Sequence, residues 1–292
     1  MFQKFHRTQF ARGMLVASAL LILSACANHT NHANLAPPSN DAGLFKSQEP
    51  RRLILVGDST MASKSGYGDA LCSQLKPAVD CINLARGGRS SGSFRAEGLW
   101  QQVQHLLNDK KVKTWVLIQF GHNDQPGKPG RSTDLKTEFP VNMARYVDEV
   151  RAWGGIPVLV TPLTRRTFRD QVLENNLLPW AQVVEHIAQD KNVLLLPLNA
   201  ESYAAVQAMG QVEADTLAVA PPNVVLVAST TTPVNVNTNA NTAATVEPQG
   251  TPKSAFDRTH VGVKGARLFS TMVLRELIQA EPSWDAYLLK QP

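Results

Sequence analysis

Apolar residues along this 292-residue chain come in short, nearly unbroken runs, separated by stretches in which they recur every three or four positions. The runs Leu53–Val56, Cys81–Leu84, Trp115–Phe120, Ile156–Val160 and Val193–Leu198 predict five strands. Strands that lack polar alternation are buried on both faces, the habit of parallel sheets. Between them Tyr67–Pro77, Ser93–Asn108, Leu135–Trp153 and Leu173–Asp190 predict helices, and Val261–Ala280 predicts a closing helix. Within Ser93–Asn108, residues Phe94, Leu99, Val103, Leu106 and Leu107 share one side, and Gly154-Gly155 ends the helix that follows. Strand and helix in alternation predict one doubly wound α/β domain.

One segment departs from this rhythm. From about Val212 to Lys253 the chain is dominated by Ala, Thr, Asn, Val and Pro, and it offers too little to bury. It is expected to be a long loop or insertion, in which the short apolar run Asn223–Ala228 could add a strand. No internal repeat is visible.

Composition narrows the function classes. A hydrophobic content of 43% suffices for one sizeable core. The formal charge of +5 depends on Lys4, Arg7 and Arg12, which lie in an N-terminal stretch without any acidic residue. The remainder is nearly balanced, which gives no electrostatic case for nucleic acid. That stretch has a basic Met1–Gly13, then MLVASALLIL, then Leu23-Ser24-Ala25-Cys26, the layout of an export signal. Its apolar run is too short for a permanent membrane span. Leu-Ser-Ala-Cys resembles the bacterial lipobox, which implies a lipoprotein signal peptide over residues 1–25 and lipidation at Cys26. A plain signal peptide with an incidental cysteine is the alternative. Residues 26–50 then form a flexible tether, and Ala27 resembles outer-membrane sorting. The expected location is therefore exported and lipid-anchored, at the periplasmic side of the outer membrane or the cell surface. Cys72 and Cys81 would meet an oxidising compartment and are expected to close a short disulfide loop, with two buried free thiols as the alternative. No zinc-ligand spacing is present, and neither metal nor organic cofactor is expected.

Candidate chemistry collects after the strands, where ligands bind in open α/β sheets. Strand one runs into Gly57-Asp58-Ser59-Thr60, strand two into Ala85-Arg86-Gly87-Gly88-Arg89-Ser90, and strand three into Gly121-His122-Asn123-Asp124. Asp257-Arg258-Thr259-His260 precedes the closing helix. A serine on a tight strand-to-helix turn exposes its hydroxyl, Gly88 allows close backbone approach, and the Asn123 amide can donate to an oxyanion. Asp257 and His260, three apart, suit an orienting carboxylate and a general base. His122 is expected to pack the loop. Each block alone is commonplace; four in this order, at one sheet edge, point to acyl transfer.

These blocks resemble those of the SGNH hydrolase superfamily. GDSTMA, INLARGGRSS, FRAEG, IQFGHND, VTPLTRR and DRTHVGVKGA are more narrowly similar to the rhamnogalacturonan and pectin acetylesterases. The resemblance runs from about Leu53 to Leu277, except for the Thr/Asn-rich insertion. It implies a three-layer sandwich on a flavodoxin-like five-stranded sheet, over residues 51–292. It also implies a Ser59–Asp257–His260 triad and an oxyanion hole made by Ser59 N–H, Gly88 N–H and the Asn123 amide. The implied partner is an acetylated polysaccharide or oligosaccharide, hydrolysed by a monomer. Arg89, Arg95, Lys128, Arg131, Arg165 and Arg166 fall near strand ends, and Arg89, Arg165 and Arg166 are candidates to bind galacturonate carboxylates. A solvated rim or internal salt bridges is the plainer reading of these cations. Another acetylated glycan, a small acyl ester, or a polysaccharide-binding lipoprotein without catalysis stays open.

Overall fold

The computed structural model describes residues 49–219 and 257–290. The leader, Cys26, the tether up to residue 48, and the insertion from residue 220 onward, with Asn223–Ala228, lie outside the described residues.

Five strands form one parallel sheet: β1 (Arg51–Gly57), β2 (Val79–Asn83), β3 (Lys113–Gln119), β4 (Ile156–Val160) and β7 (Leu194–Leu196), in the order β2-β1-β3-β4-β7. The unbroken apolar runs reflect burial on both sides. Leu53 and Leu55 of β1, with Trp115 and Leu117 of β3, face a core shared with α1 (Gly68–Cys72), α6 (Leu198–Asp215) and α7 (Val263–Ala280). Their neighbours Ile54, Val56, Val116 and Ile118 face a second core under α2 (Ser93–Ala96), α3 (Trp100–Leu107), α4 (Glu138–Ala152) and α5 (Leu178–Asp190). The expected α/β three-layer architecture and parallel five-stranded sheet are therefore present. A disulfide joins Cys72, the last residue of α1, to Cys81 on β2, with Cα atoms 5.5 Å apart.

Several expected elements differ. The helix over Ser93–Asn108 is split into α2 and α3, with Gly98 at φ 77° turning the chain between them. The helix expected from Leu173 begins only at Leu178. Before it, β5 (Phe168–Arg169) and β6 (Val172–Leu173) form a small antiparallel hairpin. The strand expected over Val193–Leu198 is shorter, because Leu198 already opens α6. The insertion boundary expected at about Val212 is also corrected. Residues 212–215 complete α6, and Ala214, Asp215, Leu217 and Ala218 are buried.

Glu276 of α7 makes the fold sensitive to pH. It is buried, and neither carboxylate oxygen has a hydrogen-bond partner among the described residues. Burial pushes its carboxyl up to about 8, against the opposing pull of Arg275. The folded chain thus holds a proton that the unfolded chain releases near its ordinary pKa of 4.5. This stability is full below that value and is lost as pH rises through about 8. The Glu276→Gln variant should show no such loss. Removing a lone buried charge is worth on the order of 2 kcal/mol, so its Tm at pH 9 should exceed the parent's by about 4–8 °C. At pH 5 the two should agree closely. Thermal scans across this range check the expectation, and parallel pH curves would refute it.

Candidate active site

The strand order reverses direction between β1 and β3, and this switch point opens a crevice at their carboxyl ends. Gly57 pairs with Gln119 in register, so Asp58-Ser59 and His122-Asn123 leave the sheet side by side. On the other flank of β1, Arg86 N–H donates to the Gly57 carbonyl, which carries the Gly87-Gly88 turn to the same edge.

A buried polar network holds the Ser59 turn. Asp58 Oδ1 accepts the Thr60 N–H and hydroxyl at 2.9 and 2.8 Å. The Thr60 hydroxyl also accepts from Gln119 Nε2 at 2.7 Å, and Tyr67 donates its hydroxyl to Gln119 Oε1. The other Asp58 oxygen lies 3.3 Å from Nδ1 of the buried His122. Burial works to raise the Asp58 carboxyl, but His122 and the Thr60 donors outweigh it and hold it below its ordinary value. Burial pushes His122 down, against the opposing pull of Asp58. His122 therefore braces the loop from inside, in contact with Asp58.

Three donors lie on the loops that leave this edge of the sheet. Gly88 takes φ 76°, a conformation that favours glycine. Neither the Ser59 N–H nor the Gly88 N–H has an acceptor among the described residues. Asn123 gives one amide hydrogen to the Arg89 carbonyl at 3.0 Å, which fixes the amide and leaves its second hydrogen for a ligand. Asp124, to which sequence reasoning assigned no role, ties these loops together. It accepts the Ser91 N–H and hydroxyl and the Thr133 hydroxyl, and burial raises its carboxyl to about 6. The only signal for it was its place as the last residue of the Gly-His-Asn-Asp block.

Asp257 and His260 form a close pair, with Asp257 Oδ2 2.5 Å from His260 Nδ1. Asp257 Oδ1 accepts the N–H groups of Thr259 and His260 at 2.6 and 3.0 Å. Burial alone would raise this carboxyl; the histidine and the two backbone donors outweigh it and hold it well below the usual carboxylate range. His260 Nε2 is buried and has no hydrogen-bond partner among the described residues. The Asp257–His260 turn is brought to the serine through Ser65. Its hydroxyl donates to the Ser59 carbonyl at 2.8 Å, and its own carbonyl accepts the Val261 N–H at 2.9 Å. No hydrogen bond joins Ser59 Oγ to His260 among the described residues; such contacts often form only with substrate in place. A serine hydroxyl on a strand-end turn, an imidazole bonded to a carboxylate, and backbone and amide donors without acceptors among the described residues are the kinds of group that acyl transfer uses.

The expected cationic ligands divide. Arg166 is a correction: its side chain is fully buried, and it donates to backbone carbonyls instead of facing a ligand. Arg89 is engaged by Glu97 at 2.7 Å and by the Gly87 carbonyl. Arg95 is held by Glu149 and lies over the Trp100 and Tyr146 rings. Arg165 remains at the crevice, half-buried, with Nη1 on Asn176 Oδ1 at 2.7 Å. Lys128 and Arg131 join it, and burial together with these two guanidinium groups pushes the Lys128 ammonium down to about 8. Among the described residues no cluster of three or more histidine, cysteine or carboxylate side chains is placed to hold a metal ion.

Comparison with known proteins agrees with this geometry. Over 166 residues the chain is 31% identical to a probable rhamnogalacturonan acetylesterase, YesY, of Bacillus subtilis, covering 54% of this chain and 75% of that protein. The rhamnogalacturonan acetylesterase RhgT of the same organism is also 31% identical, over 58% of this chain and 74% of its own length. Among solved structures, the acetylxylan esterase Axe2 of Geobacillus stearothermophilus superposes with a TM-score of 0.53 at 17% identity, over 78% of this chain and 94% of Axe2, a likeness of fold. Residues 55–268 match the model of the GDSL-like lipase/acylhydrolase family, and with its sheet, its crevice and its Ser59 turn the chain belongs to that family.

Proposed function

We propose that this protein is a carbohydrate acetylesterase that removes O-acetyl groups from pectic polysaccharide such as rhamnogalacturonan, through an acyl-enzyme on Ser59. The observation that carries this reading is the set of unused donors around Ser59 beside the Asp257–His260 pair. Ser59 Oγ attacks the acetyl carbonyl while His260 Nε2 takes its proton. The negative charge that develops on the carbonyl oxygen meets Ser59 N–H, Gly88 N–H and Asn123 Nδ2, donors worth about 3–4 kcal/mol each in the transition state. As the intermediate collapses, His260 returns the proton to the departing sugar hydroxyl and leaves acetyl on Ser59. Water, deprotonated by the same histidine, then releases acetate and restores the serine. Asp257 stays ionised throughout and steadies the imidazolium.

Substrate class rests on separate support. The relatives named above are rhamnogalacturonan acetylesterases, and Lys128, Arg131 and Arg165 at the crevice suit an acidic glycan. The leader over residues 1–25, followed directly by Cys26, supports export with a lipid anchor, which would bring the enzyme to polymers outside the cell.

The test is acetate release from acetylated pectin, rhamnogalacturonan and xylan by the soluble chain starting at Asn28. Preferential release from the pectic polymers is expected. Equal or greater release from xylan would overturn the substrate class but leave the chemistry standing. Failure to hydrolyse any ester, with no labelling of Ser59 by an organophosphonate, would favour a polysaccharide-binding protein.

A further inference from the structure

The turn that carries Asp257 and His260 belongs to no helix or strand, and it must still hold an imidazole to within a fraction of an ångström. All four of its carbonyls are bonded to one residue. Arg166 Nη2 donates to the Asp257 carbonyl at 2.8 Å and to the His260 carbonyl at 2.6 Å. Its Nη1 reaches the Thr259 carbonyl at 3.4 Å, and its backbone N–H donates to the Arg258 carbonyl at 2.9 Å. The side chain is fully buried, and no carboxylate engages its guanidinium among the described residues. A buried arginine is ordinarily paired with an acid, because an uncompensated charge in the interior is costly. Here the planar fork is spent on backbone oxygens, with Asp257 and Asp215 offsetting its charge from nearby.

Labour is divided within the turn. The Asp257 carboxylate satisfies the N–H groups of Thr259 and His260 and the imidazole, and Arg166 satisfies the carbonyls. Arg166 follows β4 through Thr161–Arg165, so the clamp fixes the turn to the sheet that also positions Ser59. Ser65 also holds Val261, and Asp215 at the end of α6 holds Arg258 at 3.1 Å. Neither of these contacts touches a carbonyl of the four-residue turn.

We propose that Arg166 is the positioning residue of the general base, a backbone clamp that sets the orientation of His260 toward Ser59 and never meets substrate. The proposal rests on the triad reading given above. Lysine reproduces it only in part, since its one ammonium, on a stem without the planar fork, can stand in for Nη2 at the Asp257 and His260 carbonyls but supplies no second nitrogen for the Thr259 carbonyl.

The experiment uses the soluble chain with Arg166→Lys and Arg166→Gly, assayed on a neutral aryl acetate. A neutral ester removes any part a cation plays in binding an acidic glycan. In Arg166→Gly, kcat should fall about 10²-fold with KM within about twofold. Millimolar guanidinium should restore at least tenfold of that loss, whereas the same concentration of urea should not. In Arg166→Lys, kcat should fall about tenfold, again with KM little changed and no rescue. A merely structural role would lower Tm without giving rescue. Wild-type kcat in either variant, a loss confined to KM, or a loss in Arg166→Gly that guanidinium leaves untouched would overturn the proposal. Should Arg166→Gly not fold, Arg166→Lys decides: a lower kcat at constant KM supports the clamp, and an unchanged kcat removes it. Organophosphonate labelling of the unsubstituted chain tests the triad reading separately, so an unlabelled, inactive parent counts against that reading and not against the clamp alone.

Discussion

Replacing Ser59 with alanine is expected to lower kcat for acetate release by about 10⁴-fold or more while the fold stays intact. The hydroxyl makes no hydrogen bond among the described residues, and Ser65 holds position 59 through its backbone carbonyl, which alanine keeps. The Asp58–Thr60–Gln119–Tyr67 network that shapes the turn is equally untouched. Tm should therefore change by about 1 °C or less, as for a substitution that breaks no buried contact. The remaining activity comes from the oxyanion donors and from binding, which together still give about 10³-fold over water. Acetate release followed beside a thermal scan separates the two effects. Turnover within about tenfold of the parent would place the nucleophile elsewhere.

Asp257→Asn is expected to cost about 10³–10⁴-fold in kcat, again with little change in KM. The physical reason lies in how Asp257 shares its two oxygens. Oδ1 accepts the N–H groups of Thr259 and His260, which only an oxygen can do. An asparagine must keep its carbonyl oxygen there and turn its NH₂ toward His260 Nδ1. That nitrogen then has to accept, so the ring proton moves to Nε2, and the base can no longer take a proton from Ser59. The turn itself survives, because its backbone bonds are retained. In the parent chain the Asp257 carboxyl sits well below the usual range, so it stays ionised across the working pH. Loss of activity on the acid side therefore does not report protonation of Asp257. Asp257→Asn should be nearly inactive at every pH, measured as kcat against pH. A variant that recovered parental kcat at high pH would contradict the tautomer argument.

The sheet was legible because its strands are buried on both faces, and a run such as Leu53–Val56 needs no partner to announce that. The hairpin Phe168–Leu173 was not. Its tight turn places Asp170 and Gln171 at φ 49° and 66° without a glycine, so the usual Asp-Gly or Asn-Gly signal is missing. Helix α6 escaped for a different reason. Its buried face includes Asn199, Ser202 and Asp215 beside Leu198, Val206 and Ala214, so no clean apolar period marks it. Those polar groups have partners in the tertiary structure: Asn199 donates to the Pro162 carbonyl at 2.9 Å, and Asp215 engages Arg258.

The sequence by itself determined the layers of the fold and the edge at which chemistry would gather. Both follow from local facts: strand-length apolar runs, the residues that end them, and the order of the blocks. The fate of each arginine was decided only by the tertiary structure. Arg165 and Arg166 are adjacent in sequence and alike in chemistry, yet one borders the crevice and the other is sealed behind the Asp257–His260 turn. The carbonyls that Arg166 satisfies lie 91 to 94 residues further along the chain. A buried backbone oxygen must find a donor, and which side chain supplies it depends on how the segment that follows β4 meets that turn, which no local pattern encodes.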